Sequence, residues 1–245
     1  MTDRWTKLEG VEFDPSDAVE RLLLGEYGAV FAAVGVTPPT KVAFRDQAEV
    51  ARFQAELEIA EAEIGGFSIE LQRPALEALL IAARDAEREG LAITPRGADS
   101  ARRSFDETVE LWQSRVGPAL LHWTGLGKIT DEEAEAVRRM PIFEQIRAVL
   151  GLEQKGLWFA KDLSKSIIYS VAPPGTSQHL SLLAFDAAEH AEARVREILA
   201  SHGWFQTVTS DLPHFTYLGV RESELPGLGL RSVEHGGRRF WVPDI

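Results

Sequence analysis

Apolar residues recur at helical spacing over most of the first two thirds of the chain. In residues 75–89 leucines and alanines fall on one side, and Pro74 stands where the first turn of a helix favours proline. Thr130 and Glu133 have the spacing of a capping box, which predicts the start of a helix. The helices predicted here cover residues 46–64, 75–89, a segment from about Phe105, Asp131–Arg139 and 141–150.

The pattern changes after about residue 155, where short apolar runs are separated by glycine and proline. Such runs are typical of strands, and Gly236-Gly237 between two of them predicts a terminal hairpin. One more helix is predicted over residues 187–202, ending at Gly203. The predicted strands are 91–94, 166–171, 182–186, 204–209, 214–218 and the two arms of 230–242.

Together these elements predict an α+β fold, with a small antiparallel sheet, flanking helices and a helical N-terminal region before them. The pair Gly65-Gly66 ends the predicted helix over 46–64 and suggests a domain boundary. We therefore predict a helical region at residues 1–66 and a main domain at residues 67–245.

Composition narrows the classes of function. The chain has 245 residues, 44% of them hydrophobic, and a formal net charge of −12, which argues against nucleic acid as a partner. There is no cysteine, so disulfide scaffolds, thiolate nucleophiles and cysteine-ligated metals are excluded. No segment reaches the length of a membrane-spanning helix, and residues 1–10 lack the apolar segment of a signal peptide.

A group of histidines and aspartates follows the turn at 173–177. His179 stands at the start of a predicted turn-and-strand segment and Asp186 at its end, while His214 opens a later strand, three residues after Asp211. Two imidazoles and one carboxylate are the protein ligands of an open, catalytic zinc site, and a nearby carboxylate can act as general base. The spacing alone leaves a second interpretation open, in which His179 is a core residue, Asp186 caps a helix and Asp211 belongs to a turn.

Three segments together resemble a known family. Residues 177–186, Ser-Gln-His-Leu-Ser-Leu-Leu-Ala-Phe-Asp, are similar to the signature S-x-H-x-x-G-x-A-x-D of the D-alanyl-D-alanine metallocarboxypeptidases of the VanX/VanY type. Residues 211–215, Asp-Leu-Pro-His-Phe, resemble the closing motif of that family, and residues 100–105 resemble its S-G-Y-R-S segment. The three segments occur in the order of the family and span about residues 90–220.

The resemblance implies a role for each matching residue. It implies Zn²⁺ as cofactor, with Asp211 as catalytic base and Arg103 as the cation that stabilises the oxyanion, although Arg102 beside it is an alternative. Ser177 matches a residue that binds substrate or supports the ligands. The residues that match zinc ligands are His179, Asp186 and His214.

The activity implied is hydrolysis of peptidoglycan stem peptides, foremost as a D-alanyl-D-alanine carboxypeptidase acting outside the cytoplasmic membrane. Asp211 departs from the more usual glutamate and is similar to the branch that cleaves the L-Ala–D-Glu bond, which is the alternative activity. Leu182 stands where the motif has glycine, so we expect the backbone to avoid positive φ there, or the approach to substrate to be altered. That departure also leaves room for a non-catalytic module that binds the cell wall.

Overall fold

The structure is a computed structural model that describes residues 11–245, and it confirms the α+β fold with 45% helix and 16% strand. The expectation about a signal peptide concerns residues 1–10, which lie outside the described residues. The chain forms two compact units. The first comprises residues 1–42, 48–103 and 178–245, and the second comprises residues 43–47 and 104–177.

A three-stranded antiparallel sheet lies at the centre of the first unit. Its strands are β3 (Ala184–Asp186), β4 (Trp204–Phe205) and β5 (His214–Tyr217), and β5 is the middle strand. The register places Asp186 opposite His214, both at strand ends. The predicted strands at 182–186, 204–209 and 214–218 are therefore confirmed in place, although each is shorter than expected.

Two helices of the first unit pack against each other, and one of them contacts the edge strand β4. α3 (Arg73–Arg88) has Pro74 in its first turn, as the sequence predicts, and it packs against α7 (Ala193–Ser201). The shared core is apolar and includes fully buried Trp204. The N-terminal helices are α1 (Ala18–Tyr27) and α2 (Gln47–Ala55). No helix among residues 11–245 has both the length and the apolar character needed to cross a bilayer.

Two hairpins complete the first unit. β1 (Ile59–Ile64) pairs with β2 (Phe67–Gln72), and β6 (Leu230–His235) pairs with β7 (Arg238–Pro243). The terminal hairpin was predicted, whereas the helix predicted over 46–64 is wrong beyond residue 55. The glycine pair at 65–66, taken as a helix stop, is instead the turn between β1 and β2, and both residues have positive φ.

The second unit is helical. Its helices are α4 (Phe105–Gly125), α5 (Asp131–Arg139) and α6 (Ile142–Glu153). Thr130 forms the predicted capping box with Glu133 at the start of α5. Inside the unit, the buried indole Nε1 of Trp112 donates to Gln145 at 2.9 Å, so the polar end of the largest core side chain is satisfied.

Three smaller elements differ from prediction. Residues 91–94 form no strand, and the strand predicted at 166–171 is a short 3₁₀ turn, Ile167–Tyr169. The helix predicted over 187–202 begins only at Ala193. The carboxylate of Glu189 accepts bonds from the main-chain N–H and hydroxyl of Thr94 at 2.8 and 2.6 Å, which holds the start of this segment in a turn.

Candidate metal centre

The structure brings together the three segments that carry the sequence motifs. The N–H of Asp186 donates to the carbonyl of Ser100 at 2.8 Å, and Nδ1 of His179 lies 3.1 Å from the carbonyl oxygen of Ala101. The antiparallel pairing of β3 and β5 adds His214 beside Asp186, because directly opposite residues present their side chains on the same face. His179 comes from a 3₁₀ turn, Gln178–Ser181, just before β3.

The side chains of His179, Asp186 and His214 converge on one buried point. Oδ1 of Asp186 lies 3.3 Å from Nε2 of His179 and 3.1 Å from Nδ1 of His214. The three candidate ligand atoms all lie within 4.8 Å of one another, and all three residues are buried. Ligands about 2.0–2.1 Å from a tetrahedral zinc lie about 3.3 Å apart, so this group could hold a metal ion.

In each imidazole, one ring nitrogen points towards Asp186 and the other, called here the outer nitrogen, points away from it. The hydrogen bond of the outer nitrogen determines which nitrogen carries the proton. Nδ1 of His179 faces a carbonyl oxygen, which only accepts, so in the neutral ring the proton lies on Nδ1 and Nε2 carries a lone pair. Nε2 of this ring is buried and has no hydrogen-bond partner within residues 11–245. A buried lone pair aimed at a carboxylate oxygen is what a metal ligand requires and what a core histidine avoids.

Gln178 orients the imidazole of His214 through its outer nitrogen. The sequence analysis did not identify Gln178 as a residue of this site. Its Nε2 donates to the carbonyl of Tyr27 at 2.8 Å, which orients the amide so that Oε1 faces Nε2 of His214 at 2.9 Å. Oε1 also accepts from the hydroxyl of Thr216. The neutral His214 ring is therefore protonated on Nε2 and presents the lone pair of Nδ1 to Asp186. The only signal in the sequence was a polar side chain directly beside a candidate ligand.

The electrostatics keep these groups in the states that bind metal. Burial raises the pKa of Asp186, but His179 and His214, which in their protonated forms would attract and donate to its carboxylate, lower it more, so the pKa lies well below its ordinary value. Burial is also the largest influence on His179 and lowers its pKa, with Arg103 adding to the effect. An ionised carboxylate beside a neutral imidazole is the pairing that a metal ion needs.

Arg103, and not Arg102, lies at this centre. Nη2 of Arg103 is 3.4 Å from Oδ2 of Asp186 and 3.6 Å from Oδ2 of Asp99, and its Nε is buried without a hydrogen-bond partner among the described residues. Arg102 is exposed and binds Glu70 and Gln54 instead. The guanidinium of Arg103 thus contacts the carboxylate oxygen that faces away from the two histidines.

Asp211 and Ser177, the other two predicted site residues, make no side-chain hydrogen bond with this group of three within residues 11–245. Asp211 is exposed, and its carboxylate makes no hydrogen bond or ion pair with any residue in 11–245, while its main-chain carbonyl accepts from the N–H of His214 at 3.2 Å. Ser177 is buried and is the last residue of the second unit. The roles of Asp211 as base and Ser177 as substrate contact stay predictions.

Leu182 corrects one expectation. The backbone was expected to avoid positive φ here, yet φ of Leu182 is 58°, in the left-handed region where glycine is favoured. The side chain is fully buried, and the main chain bonds to His179 on one side and Gln72 on the other. The chain therefore follows the path that the glycine of the motif would allow, at a conformational cost of about 1–2 kcal/mol offset by burial of the leucine.

Comparisons of the chain with models of protein families, with curated proteins and with solved structures find no match.

Proposed function

We propose that the protein is a zinc-dependent peptidase that hydrolyses peptidoglycan stem peptides, acting as a D-alanyl-D-alanine carboxypeptidase. The observation that carries the proposal is the convergence of three lone-pair-bearing atoms, on His179, Asp186 and His214, at one buried point. These are the three residues that match the zinc ligands of the family that the sequence resembles. Both imidazoles are oriented through their outer nitrogens by main-chain and amide oxygens, a common support for metal ligands.

Zinc is the metal that we propose for this group. Two imidazole nitrogens and one carboxylate oxygen form the ligand set of catalytic zinc sites, in which the fourth position stays open. The neutral state of His179 and the ionised state of Asp186 need no proton release before a cation binds. A bound Zn²⁺ would supply Lewis acidity to a peptide carbonyl and to a water molecule.

In this proposal the remaining chemistry belongs to two side chains. Asp211 takes the proton of the attacking water and later delivers it to the leaving amine, for which an exposed carboxylate without internal partners is free. Arg103 stabilises the negative charge that develops on the carbonyl oxygen. Its half-buried guanidinium is held near the centre by Asp186, and its Nε remains an unused donor.

The L-Ala–D-Glu bond is the alternative target, and Asp211 is the observation that favours it. The segment 211–215 is similar to that branch of the family, because an aspartate stands where the carboxypeptidases mostly have glutamate. The shorter side chain would place the base differently with respect to substrate. The alternative of a non-catalytic wall-binding module rested on Leu182, whose backbone keeps the left-handed conformation of the motif.

Purified protein, freed of metal by a chelator and then given zinc, tests the proposal on two peptides. One ends in D-Ala-D-Ala, and the other carries an L-Ala–D-Glu bond. We expect zinc-dependent release of D-Ala, abolished in Asp211→Asn and retained in the control Asp131→Asn on the surface of α5. Cleavage of the second peptide alone would favour the endopeptidase. Absence of cleavage of either peptide, with or without zinc binding, would favour the binding module, and absence of zinc binding would refute both peptidase activities.

A further inference from the structure

A cavity in the first unit, apart from the candidate metal centre, is lined by aromatic and charged side chains. It encloses about 480 Å³ beside α7, β4 and the β6–β7 hairpin, which is large enough for a small organic ligand. Four aromatic side chains contribute to its lining, together with four arginines and two glutamates. The residues that matter for the argument are Trp204, Phe205, Phe215, Trp241, Arg196 and Arg238.

This cavity is distinct from the metal centre. None of the three metal-facing residues lines it. Phe215 does, and it follows His214 directly on β5, where successive side chains point to opposite faces of the sheet. A molecule bound here would therefore not need the metal ion for its binding.

Arg196 and Arg238 meet at one main-chain oxygen. Nη1 of each donates to the carbonyl of His190, at 3.1 and 3.3 Å, and Nη1 of Arg238 also lies 3.0 Å from Nδ1 of that histidine. Nη1 of Arg196 donates further to the carbonyl of Ala191 at 2.7 Å. Two like charges are thus fixed side by side through the same nitrogen of each guanidinium.

Neither guanidinium contacts a carboxylate. Within residues 11–245 neither forms an ion pair, and the Nε and Nη2 atoms of both make no hydrogen bond. Glu197 and Glu192 act on Arg196 only through their charge at longer range. The other charged groups of the lining are neutralised: Arg221 pairs with Glu224, Arg239 with Glu222 and Glu234, and Glu197 with Arg194. The Nε–Nη2 edge of arginine is the edge that binds a carboxylate with two parallel hydrogen bonds.

The two unpaired charges raise the free energy of this region. Burial, followed by the charge of Arg238, lowers the pKa of Arg196. In a chain with 38 acidic and 26 basic residues, half-buried arginines without a carboxylate partner are unexpected. An anion placed between them would supply the missing partner.

Trp204, which lines the same cavity, also carries an unused donor. Trp204 is fully buried, and its indole Nε1 has no hydrogen-bond partner in the described part of the chain. Buried indole N–H groups normally find an acceptor, as Trp112 and Trp241 do in this protein.

We propose that this cavity binds an organic carboxylate that carries an apolar group. The carboxylate lies on the free edges of Arg196 and Arg238, and the apolar group packs on the aromatic lining. Inorganic phosphate shares the charge but gains nothing from aromatic walls, so the lining favours a carboxylate. The proposal is independent of the peptidase function, because no metal-facing residue contributes to the cavity.

Calorimetric titration of the metal-free protein tests this site, with 3-phenylpropionate and N-acetyl-alanyl-alanine as probes. We expect both to bind, and Arg196→Gln or Arg238→Gln to weaken the binding about tenfold or more. Arg231→Gln on the same hairpin and Arg88→Gln on α3 are the controls. Both arginines are exposed and ion-paired, neither they nor their partners line the cavity, and their loss should leave affinity unchanged.

The indole N–H signals in a ¹⁵N-correlated NMR spectrum locate the bound probe. The signal absent in Trp204→Phe is assigned to Trp204, and it should shift when either carboxylate is added. Equal affinity for the uncharged amides of the probes, tighter binding of inorganic phosphate, or equal weakening in the control variants would overturn the proposal. Retained binding in Asp186→Asn separates the site from the metal centre, and loss of binding in that variant would also overturn it.

Discussion

Among residues 11–245, each of the two compact units buries one carboxylate, and the two carboxylates have opposite surroundings. Glu153, in the second unit, is 5% exposed, and both of its oxygens accept well-directed hydrogen bonds. The donors are the hydroxyl of Ser166 and the main-chain N–H groups of Ile167 and Phe159, the last two at 2.7 and 3.1 Å. All of these donors are uncharged.

Asp186, in the first unit, is 7% exposed but has different neighbours. The nitrogens of His179 and His214 nearest to it carry lone pairs when the rings are neutral, and Arg103 approaches only to 3.4 Å. Nε2 of His179 and Nε of Arg103 remain buried without partners in the described structure. The two buried carboxylates therefore differ in role. Glu153 holds the segment after its helix by hydrogen bonds, whereas Asp186 belongs to a group that could hold a cation.

The largest expected effect is that of Asp186→Asn on metal affinity. An amide removes the anionic ligand, so we expect zinc affinity, measured by competition with a chelating dye, to fall about a hundredfold or more. The control is Asp99→Asn, which changes the other carboxylate near Arg103 but is largely exposed. If Asp186→Asn and Asp99→Asn weakened zinc to the same extent, the contrast with Glu153 would not hold.

Gln178→Met tests whether the amide orients a ligand or only fills space. Without Oε1 the outer nitrogen of His214 loses its acceptor, and zinc affinity should fall about 10–100-fold. Gln72→Met is the matched control, because Gln72 is also buried and binds main-chain groups of Thr37 and Ser181, but no imidazole. Both variants should lower thermal stability, and only Gln178→Met should weaken zinc. A similar zinc affinity in the two variants would show that Gln178 does not orient His214 for metal binding.

Glu153→Gln should reverse the pattern, with a loss of stability and unchanged zinc affinity. The amide can accept at only one atom, so at least one buried donor among Ser166, Ile167 and Phe159 loses its partner. We expect the free energy of unfolding to fall by about 1–3 kcal/mol in urea denaturation. Glu144→Gln, exposed on the same helix, should change it little. A drop in zinc affinity in Glu153→Gln would contradict a purely structural role.

The smallest effect concerns pH. Burial raises the pKa of Glu153 above its ordinary 4.5, against the opposing hydrogen bonds of Ser166, Ile167 and Phe159. The folded state then binds this proton more tightly, so the associated stability is complete below about pH 4.5 and is lost as pH rises through the raised value. The stability advantage of the wild type over Glu153→Gln should therefore shrink between low and neutral pH. A widening advantage would mean that the pKa of Glu153 is lowered.

The sequence identified the three residues that meet at the candidate metal centre, because their spacing together with the resemblance to a known family marked them as possible ligands. It did not identify Gln178, whose role depends on the carbonyl of Tyr27, about 150 residues away in the chain. Nor could the sequence show which of Arg102 and Arg103 lies at the site. The side chains of adjacent residues point in different directions, and the direction depends on the backbone conformation. The order of helices and strands was predicted better than their ends.

Local preference also misled the assignment of two segments. Residues 59–64 are rich in alanine and glutamate, which favour helix, but the turn at 65–66 pairs them with Phe67–Gln72. The β-branched residues near Ile167 indicated a strand, but Glu153 binds the N–H of Ile167 and the hydroxyl of Ser166 at the start of the 3₁₀ turn. In both cases a partner distant in sequence determines the local conformation.

The hydrogen bond from Gln178 to the carbonyl of Tyr27 has a consequence for how the chain can be shortened. Tyr27 ends α1, so the last turn of that helix fixes the orientation of the Gln178 amide, which in turn orients the candidate ligand His214. A truncated protein that begins after this helix would keep every motif residue and still lose that restraint. Trimming guided by motifs alone would thus yield a protein with all three ligands and a poorly ordered His214.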